Sequence, residues 1–430
     1  MDLATPECLR LITEAMVPGM ASAIIREGRL DRYVCCGARD AQAAAQVDEH
    51  TVFDAASLSK PVFAYAVLQL ADKGYLSLDA PLGDYLPRYV PADDRAASIT
   101  PRHVLSHSGG LPNWRNADLP LKTYFEPGAQ FSYSGEGFLY LQKAVEAITR
   151  EKLHTVVKRL VLQPLGMVRS SFIWEERFGP NRAYPHDAFG QSALGGKPGE
   201  ANAASTLQTT AADFARFLLA VLDRSRLQPE TARSWLRPHI EVRHARPQNV
   251  EQSASDIATG VAWGLGWGLE PANGTFFHWG DNGAYKAFTI GSMQNRNALV
   301  CFLNGASGLS IMPEVIAAFM PGDHPFLAWL DYGRHDAPVR RLLRAARAQG
   351  VHAVWQEVED AGLKSDELLW IARGLTAAGR DEDNVWLRAR LRNARPAHRK
   401  RGEICTRDCF GSKTIPDAPS APQRSRCVAH

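Results

Sequence analysis

Ser57 and Lys60 stand three residues apart in Phe53-Asp54-Ala55-Ala56-Ser57-Leu58-Ser59-Lys60-Pro61, at what reads as a helix start. Apolar residues at Val62, Phe63, Ala66, Val67 and Leu70 continue the helix, and Gly74 supplies a C-terminal stop. Residues at i and i+3 share a helix face, so the Lys60 amine is within reach of the Ser57 hydroxyl. A serine is a poor nucleophile at its own pKa. A neighbouring amine held neutral by desolvation or by another cation accepts its proton and makes covalent catalysis possible. The pair alone is a weak signal, because Ser-x-x-Lys arises by chance roughly once in a chain of this length.

Two other stretches carry compatible chemistry. Tyr133, in Phe131-Ser132-Tyr133-Ser134-Gly135-Glu136, follows a turn at Pro127-Gly128 and precedes a helix read over Phe138 to Ile148. A phenol beside a protonated lysine is expected to have a lowered pKa and to shuttle the nucleophile's proton to a leaving group, although a lone tyrosine is more often a core residue. In Phe277-His278-Trp279-Gly280-Asp281-Asn282-Gly283 an apolar strand runs into a Gly-flanked turn. A strand edge offers backbone N–H groups to an oxyanion, Gly280 permits close approach, and His278 is placed to assist proton transfer or bind a substrate carboxylate. Alone, this pattern is more often a plain hairpin with a packed histidine.

Rival chemistries find less support. His103 and His107 have the i, i+4 spacing of a zinc helix, but Val104 stands where a metalloprotease needs its glutamate, so helix packing or capping is the better reading. No Gly-x-Ser-x-Gly nucleophile elbow is present. The seven cysteines are odd in number and scattered. Cys35 and Cys36 read as buried thiols in a strand, and Cys405 and Cys409 lack the pairing of a zinc knuckle. No metal or other cofactor is expected.

The elements that must position these residues come from both ends of the chain. Gly19 to Leu30 reads as a strand, a turn at Glu27-Gly28 and a returning strand. From Ser57 to about Leu236 the patterns are mostly helical, and strands return at Trp263 to Leu269, Thr275 to His278, Ala287 to Ile290 and Ala298 to Leu303. This implies an α+β fold: an antiparallel sheet flanked by helices, with an inserted all-helical lobe and the cleft between them. After 1–332, residues 333–404 read as an appended helical segment with helices at Val339 to Ala348, His352 to Glu359 and Glu367 to Ala378. Residues 405–430, rich in Pro and Ser, read as a disordered tail.

With 430 residues, 45% hydrophobic and 22% charged, the chain can bury a large core, and a net charge of +3 gives no reason to expect a nucleic-acid partner. The basic run from Arg388 through Arg390, Arg392, Arg395, Arg399 and Lys400 to Arg401 reads as a solvated helix face and tail. No secretory signal or membrane span is read, which implies a cytoplasmic protein with no membrane partner; a mature or truncated periplasmic chain would read the same. The expected partner is a small-molecule or peptide substrate, and the oligomeric state is left open.

Ser57-x-x-Lys60, Tyr133-Ser134-Gly135 and His278-Trp279-Gly280, in that order, resemble the three motifs of the serine β-lactamase and penicillin-binding-protein-like hydrolases, most closely the class C β-lactamase-related branch. Val17-Pro18-Gly19-Met20-Ala21, Ile99 through Leu111, Pro164-Leu165-Gly166-Met167 and Ser205 through Thr210 agree, so the likeness covers about residues 10 to 320. It implies the β-lactamase/transpeptidase-like fold and an acyl-enzyme on Ser57. Lys60 would activate Ser57, Tyr133 would relay the proton, and the backbone N–H groups of Ser57 and Asp281 would form the oxyanion hole. His278, Trp279, Gly280, Asp281 and Gly135 would line the substrate. Class C β-lactamases have Asn where this chain has Gly135, and Lys and Thr where it has His278 and Trp279. Efficient β-lactam hydrolysis is therefore disfavoured, and a linear substrate with an apolar group near Trp279, Trp263 or Trp267 is expected. The leading reading is a serine hydrolase of a small amide or peptide bond. A carboxylesterase or acyltransferase using the same residues is the close alternative, and a noncatalytic binding protein of this fold the more distant one.

Overall fold

Helix α1 (Thr5–Glu14) leads into strands β1 (Gly19–Arg26) and β2 (Arg29–Gly37). Their hairpin turns at Glu27 and Gly28, both in the left-handed region with φ of 50° and 75°, the conformation a tight hairpin demands. Strand β3 (Phe53–Asp54) and a 3₁₀ turn at Ala56–Leu58 precede α2 (Ser59–Asp72), and Gly74 ends that helix at φ 75°. The lobe continues with α3 (Pro101–Leu105), α4 (Gly135–Thr149) and α5 (Leu153–Val157). The chain then returns through β4 (Gln208–Thr209), which pairs with β3, to α6 (Ala211–Leu222) and α7 (Pro229–Trp235). A meander follows: β5 (Ile240–Glu241), β6 (Ala262–Trp263), β7 (Gly268–Glu270), β8 (Thr275–Asp281), β9 (Lys286–Ser292) and β10 (Asn297–Leu303). Helices α8 (Met312–Phe319), α9 (Pro325–Leu330), α10 (Pro338–Gln349), α11 (Trp355–Asp360), α12 (Ser365–Ala377) and α13 (Asp381–Asn393) complete the described chain. The computed structural model describes residues 5–393 apart from 44, 87–88, 91–92, 249 and 253–256. The expected tail at 405–430, Cys405, Cys409 and the basic residues from Arg395 to Arg401 lie outside the described residues.

The main sheet is antiparallel throughout, in the order β2-β1-β10-β9-β8-β7-β6-β5, so its N-terminal hairpin joins β10 from the far end of the chain. Side chains alternate across it with the strand period of two. Ala21, Ala23 and Ile25 of β1 and Ala298, Val300 and Phe302 of β10 face a core shared with α2, α4 and α6. Met20, Ile24, Leu299, Cys301 and Leu303 face the opposite core, shared with α1, α8 and α9. A sheet covered on both faces explains why Gly19 to Ile25 is uniformly buried rather than alternating.

One element differs from the sequence reading. Trp263 to Leu269 is not one strand: β6 and β7 flank a turn in which Gly266, at φ 87°, donates its N–H to Leu105 O at 2.8 Å. A Cβ on Gly266 would stand 2.6 Å from Ala64 Cβ, so this turn packs directly on α2 and the ladder is interrupted there. In α13, whose basic residues read as a solvated face, Arg390 is exposed as expected. It also lies 4.6 Å from the Trp386 ring and 5.0 Å from that of Trp355, so its charge covers aromatic surface. Among the described residues, no helix is long and apolar enough to cross a membrane.

Candidate active site

The Ser57 turn is built by backbone geometry that few residues tolerate. Ala56 has φ 48°, and its N–H is held by the Asp54 carboxylate at 2.8 Å. The Ser59 hydroxyl donates to Ala56 O at 2.6 Å and accepts from Leu207 N at 2.9 Å, tying the turn to the strand pair β3–β4. Ser57 itself stays partly exposed, while Lys60 one helical turn on is buried. Lys60 Nζ is hydrogen-bonded to Ser57 Oγ at 3.1 Å and to Ala204 O at 2.8 Å. No carboxylate among the described residues pairs with it, and burial pushes its pKa well below the ordinary lysine value. Burial therefore favours the neutral amine, the form whose lone pair can take the serine proton.

Tyr133 completes the group. Its ring centroid is 4.7 Å from Lys60 Nζ, and among the described residues its buried hydroxyl has no partner within close hydrogen-bond distance. Burial raises the phenol's pKa, and the nearby Ser57 hydroxyl is the influence that opposes the rise. This corrects the expectation that a protonated lysine would lower it: desolvation dominates at both residues and favours neutral amine beside neutral phenol.

The third motif reaches the site because β8 outruns β7. The β7 ladder stops at Phe277, leaving the edge from His278 to Asp281 to face the Ser57 turn. Gly280 is required there, since a Cβ would stand 2.5 Å from Ala55 O and 3.1 Å from Ala56 Cβ. Period-two alternation puts His278 and Gly280 on the lobe face and Trp279 on the other, where its ring lies 4.9 Å from Tyr133 and 5.7 Å from Trp329.

The substrate-contact expectations need correction here. His278 is fully buried, its Nδ1 lies 2.8 Å from Trp279 O, and burial, with Lys60 adding to it, lowers its pKa to about 3. A neutral, enclosed imidazole is a floor beneath Lys60 and Tyr133 and cannot serve as a cation for a substrate carboxylate. Trp279 is only 6% exposed, and Trp263 and Trp267 are wholly buried, so none offers the apolar wall expected of it. The Asp281 carboxylate is engaged by Lys286 and by the Tyr332 hydroxyl at 3.2 Å, which leaves its backbone as the part available to a ligand.

The aromatic surface at the site is Trp114, 41% exposed. A Cβ on Gly135 would stand 2.7 Å from its Cη2, so the indole occupies the space a side chain at 135 would take. The loop is held rigidly: Asn113 O accepts from the N–H groups of Gly135 and Glu136 at 3.0 Å, and Arg115 Nη2 pairs with the buried Glu136 at 2.6 Å. The sequence reading missed Trp114; a tryptophan alone among polar residues after His107-Ser108-Gly109-Gly110 was the available signal. His107 was also unassigned to the site. Its Nδ1 accepts the Ser134 N–H at 3.0 Å and its ring lies tilted against Tyr133 with centroids 4.2 Å apart, so it sets the tyrosine's position. His103 instead caps α3 reciprocally with Thr100, and the two histidines do not share a helix.

The family model described as Beta-lactamase matches residues 9–316. The esterase EstB of Burkholderia gladioli is 31% identical over 208 residues, 41% of this chain and 52% of that protein. Penicillin-binding protein 4 of Amycolatopsis lactamdurans is 28% identical over 229 residues, 50% of this chain and 59% of that protein. The chain thus spans about half the length of these curated relatives. Among solved structures, the octameric penicillin-binding protein homologue from Pyrococcus abyssi matches with a TM-score of 0.62 at 20% identity, over 79% of this chain and 80% of that one. The D-alanine carboxypeptidase AmpC from Burkholderia cenocepacia matches with a TM-score of 0.57 at 18% identity, over 70% and 92% respectively. At these identities the structural likeness shows the fold.

Proposed function

The chain belongs to the Beta-lactamase family of serine hydrolases, and from that premise we propose that it cleaves a small carboxylic ester by acylation of Ser57. The observation that carries the reading is the 3.1 Å contact between Ser57 Oγ and a buried Lys60 amine that lacks a carboxylate partner among the described residues. Lys60 Nζ takes the hydroxyl proton as Oγ bonds to the substrate carbonyl carbon. The backbone N–H groups of Ser57 and Asp281 hold the resulting oxyanion. As the carbon–oxygen bond breaks, the departing alkoxide receives a proton from the Tyr133 hydroxyl, which Lys60 replenishes. Water then attacks the acyl ester and gives its proton to the same pair, and Ser57 leaves with its hydrogen restored. Acid and alcohol are the products.

Three observations put the ester ahead of the amide that the motifs alone suggested. Gly135 removes the amide that anchors an acyl side chain in the class C β-lactamases. The exposed Trp114 indole presents apolar surface in its place, and a relative 31% identical is named an esterase. Amide cleavage is the second reading, favoured by the relative named a penicillin-binding protein. Intact mass after treatment with a fluorophosphonate tests the shared chemistry: one adduct is expected, lost in Ser57→Ala, and no adduct would refute the hydrolase. Parallel turnover of p-nitrophenyl esters, D-alanyl peptides and a chromogenic cephalosporin tests the bond. Esters are expected to lead by at least about tenfold in kcat/KM, roughly 1.4 kcal/mol of transition-state stabilisation; faster peptide turnover would install the amide reading.

A further inference from the structure

The side chains of Asp54 and Asn282 join three segments of the site without touching Ser57, Lys60 or Tyr133. Asp54 Oδ1 accepts from Ala56 N at 2.8 Å and from Asn282 Nδ2 at 2.9 Å. The same Asn282 amide nitrogen donates to Ser205 O at 3.0 Å. Each partner is one residue from a working part. Ala56 precedes Ser57, Asn282 follows Asp281, and Ser205 follows Ala204, whose carbonyl accepts from Lys60 Nζ at 2.8 Å. Ala56 needs this restraint more than most residues, because its φ of 48° is a conformation an alanine seldom adopts unaided.

We infer that Asp54 and Asn282 are positioning residues: their paired side chains clamp the Ser57 turn, the Asp281 end of β8 and the Ala204–Ser205 loop in one register. The clamp fixes the distance from the nucleophile to the oxyanion-binding N–H of Asp281 and keeps the Lys60 acceptor in place. The inference rests on the serine-hydrolase reading above and adds what holds its parts together. Burial raises the Asp54 carboxyl to about 6, against the hydrogen bonds from Ala56 and Asn282 and the charge of Arg182. Tyr285 is the neighbouring phenol, itself raised to about 12 by burial. Asp54 is therefore ionised in the neutral range and meets Asn282 as a charged acceptor, the stronger kind.

The Asn282 side chain is exposed, so its removal leaves the core intact. With p-nitrophenyl butyrate as substrate, Asn282→Ala should lower kcat about 10- to 100-fold while KM stays within about threefold, the pattern of misplaced reacting groups. Asn282→Asp sets a carboxylate against Asp54. Its activity relative to wild type should rise as pH falls from about 8 to 5 and one of the pair takes a proton. Asp54→Asn keeps an acceptor oxygen and should retain most of the turnover that Asp54→Ala loses. Labelling of wild type at Ser57 together with kcat for Asn282→Ala within twofold of it, or a rise confined to KM, overturns the clamp and leaves the hydrolase standing. Wild type with neither label nor turnover overturns both.

Discussion

Lys60 and Tyr133 share an interior that penalises charge. Burial alone drives the lysine downward, and burial is the leading influence driving the tyrosine upward. The sign of the consequence is definite. A lysine of ordinary pKa would be a competent base only above about pH 10, whereas burial shifts that threshold for Lys60 to much lower pH. Ester kcat/KM should therefore be flat from about pH 7 to 9, and an ascending limb centred near pH 10 would show that Lys60 is charged at rest. The buried phenol stays protonated over the same range, and on the proposed pathway it is the group that hands a proton to the alkoxide. Replacing Tyr133 by Phe should lower kcat by roughly two or more orders of magnitude, the scale for losing a general acid or base. Turnover equal to wild type would remove Tyr133 from the pathway. Residue types and order marked Lys60 and Tyr133 as candidates in the chain, but their charge states were not legible there. Those depend on enclosure by His107, Phe138, Trp263 and His278, which converge from distant segments.

At the scale of elements, the site depends on the end of β8 lying flush against the turn before α2. Gly280 is the contact point. Because a methyl group at this position would lie only 2.5 Å from Ala55 O, any side chain there must push the strand away from Ser57. Gly280→Ala is expected to cost about 1–3 kcal/mol in stability, the range for overpacking, and to lower kcat at least about tenfold by moving the Asp281 N–H. Gly179→Ala is the matched control, with no atom within 4 Å of its Cβ position. Thermal melts and ester turnover of the two variants check this, and wild-type kcat in Gly280→Ala would show that β8 need not approach so closely. The β1 hairpin and the strands from Thr275 to Leu303 were legible because long apolar runs ended at glycines and charged turns. The break between Trp263 and Gly268 was hidden, because its cause is tertiary: Gly266 fits against Ala64 of α2, which lies far away in the sequence. Trp114 was hidden for a similar reason, since only its seat on Gly135 marks it as part of the cleft.

For the whole molecule, the change of composition near residue 333 does not mark a loosely tethered end. Helices α10 to α13 have their own apolar cluster, with Val339, Leu342, Leu343 and Ala346 at helical spacing, yet they are fastened to the body by buried and half-buried polar contacts. Arg340 donates to Ser307 Oγ at 2.8 Å, and Arg344 donates to Glu14 O at 2.6 Å and to His335 O at 2.9 Å. The Phe189 and Trp370 rings meet at 5.2 Å, and a Cβ on Gly374 would lie 2.6 Å from Leu343 Cδ2 and 3.0 Å from Phe189 Cε1. We propose that this appended layer unfolds together with the hydrolase body. Leu343 is wholly buried in the layer's cluster, and truncating it to Ala should cost about 2–5 kcal/mol through lost burial and the cavity left behind. If the layer and body are coupled, denaturant should unfold Leu343→Ala in one transition at lower midpoint, with tryptophan fluorescence and ester turnover lost together. Turnover per folded molecule should stay at the wild-type level, because α10 touches none of Ser57, Lys60 or Tyr133. An early fluorescence transition that leaves turnover intact would instead show that the helical layer melts by itself and that the cross-contacts at Arg340 and Arg344 are too weak to couple it.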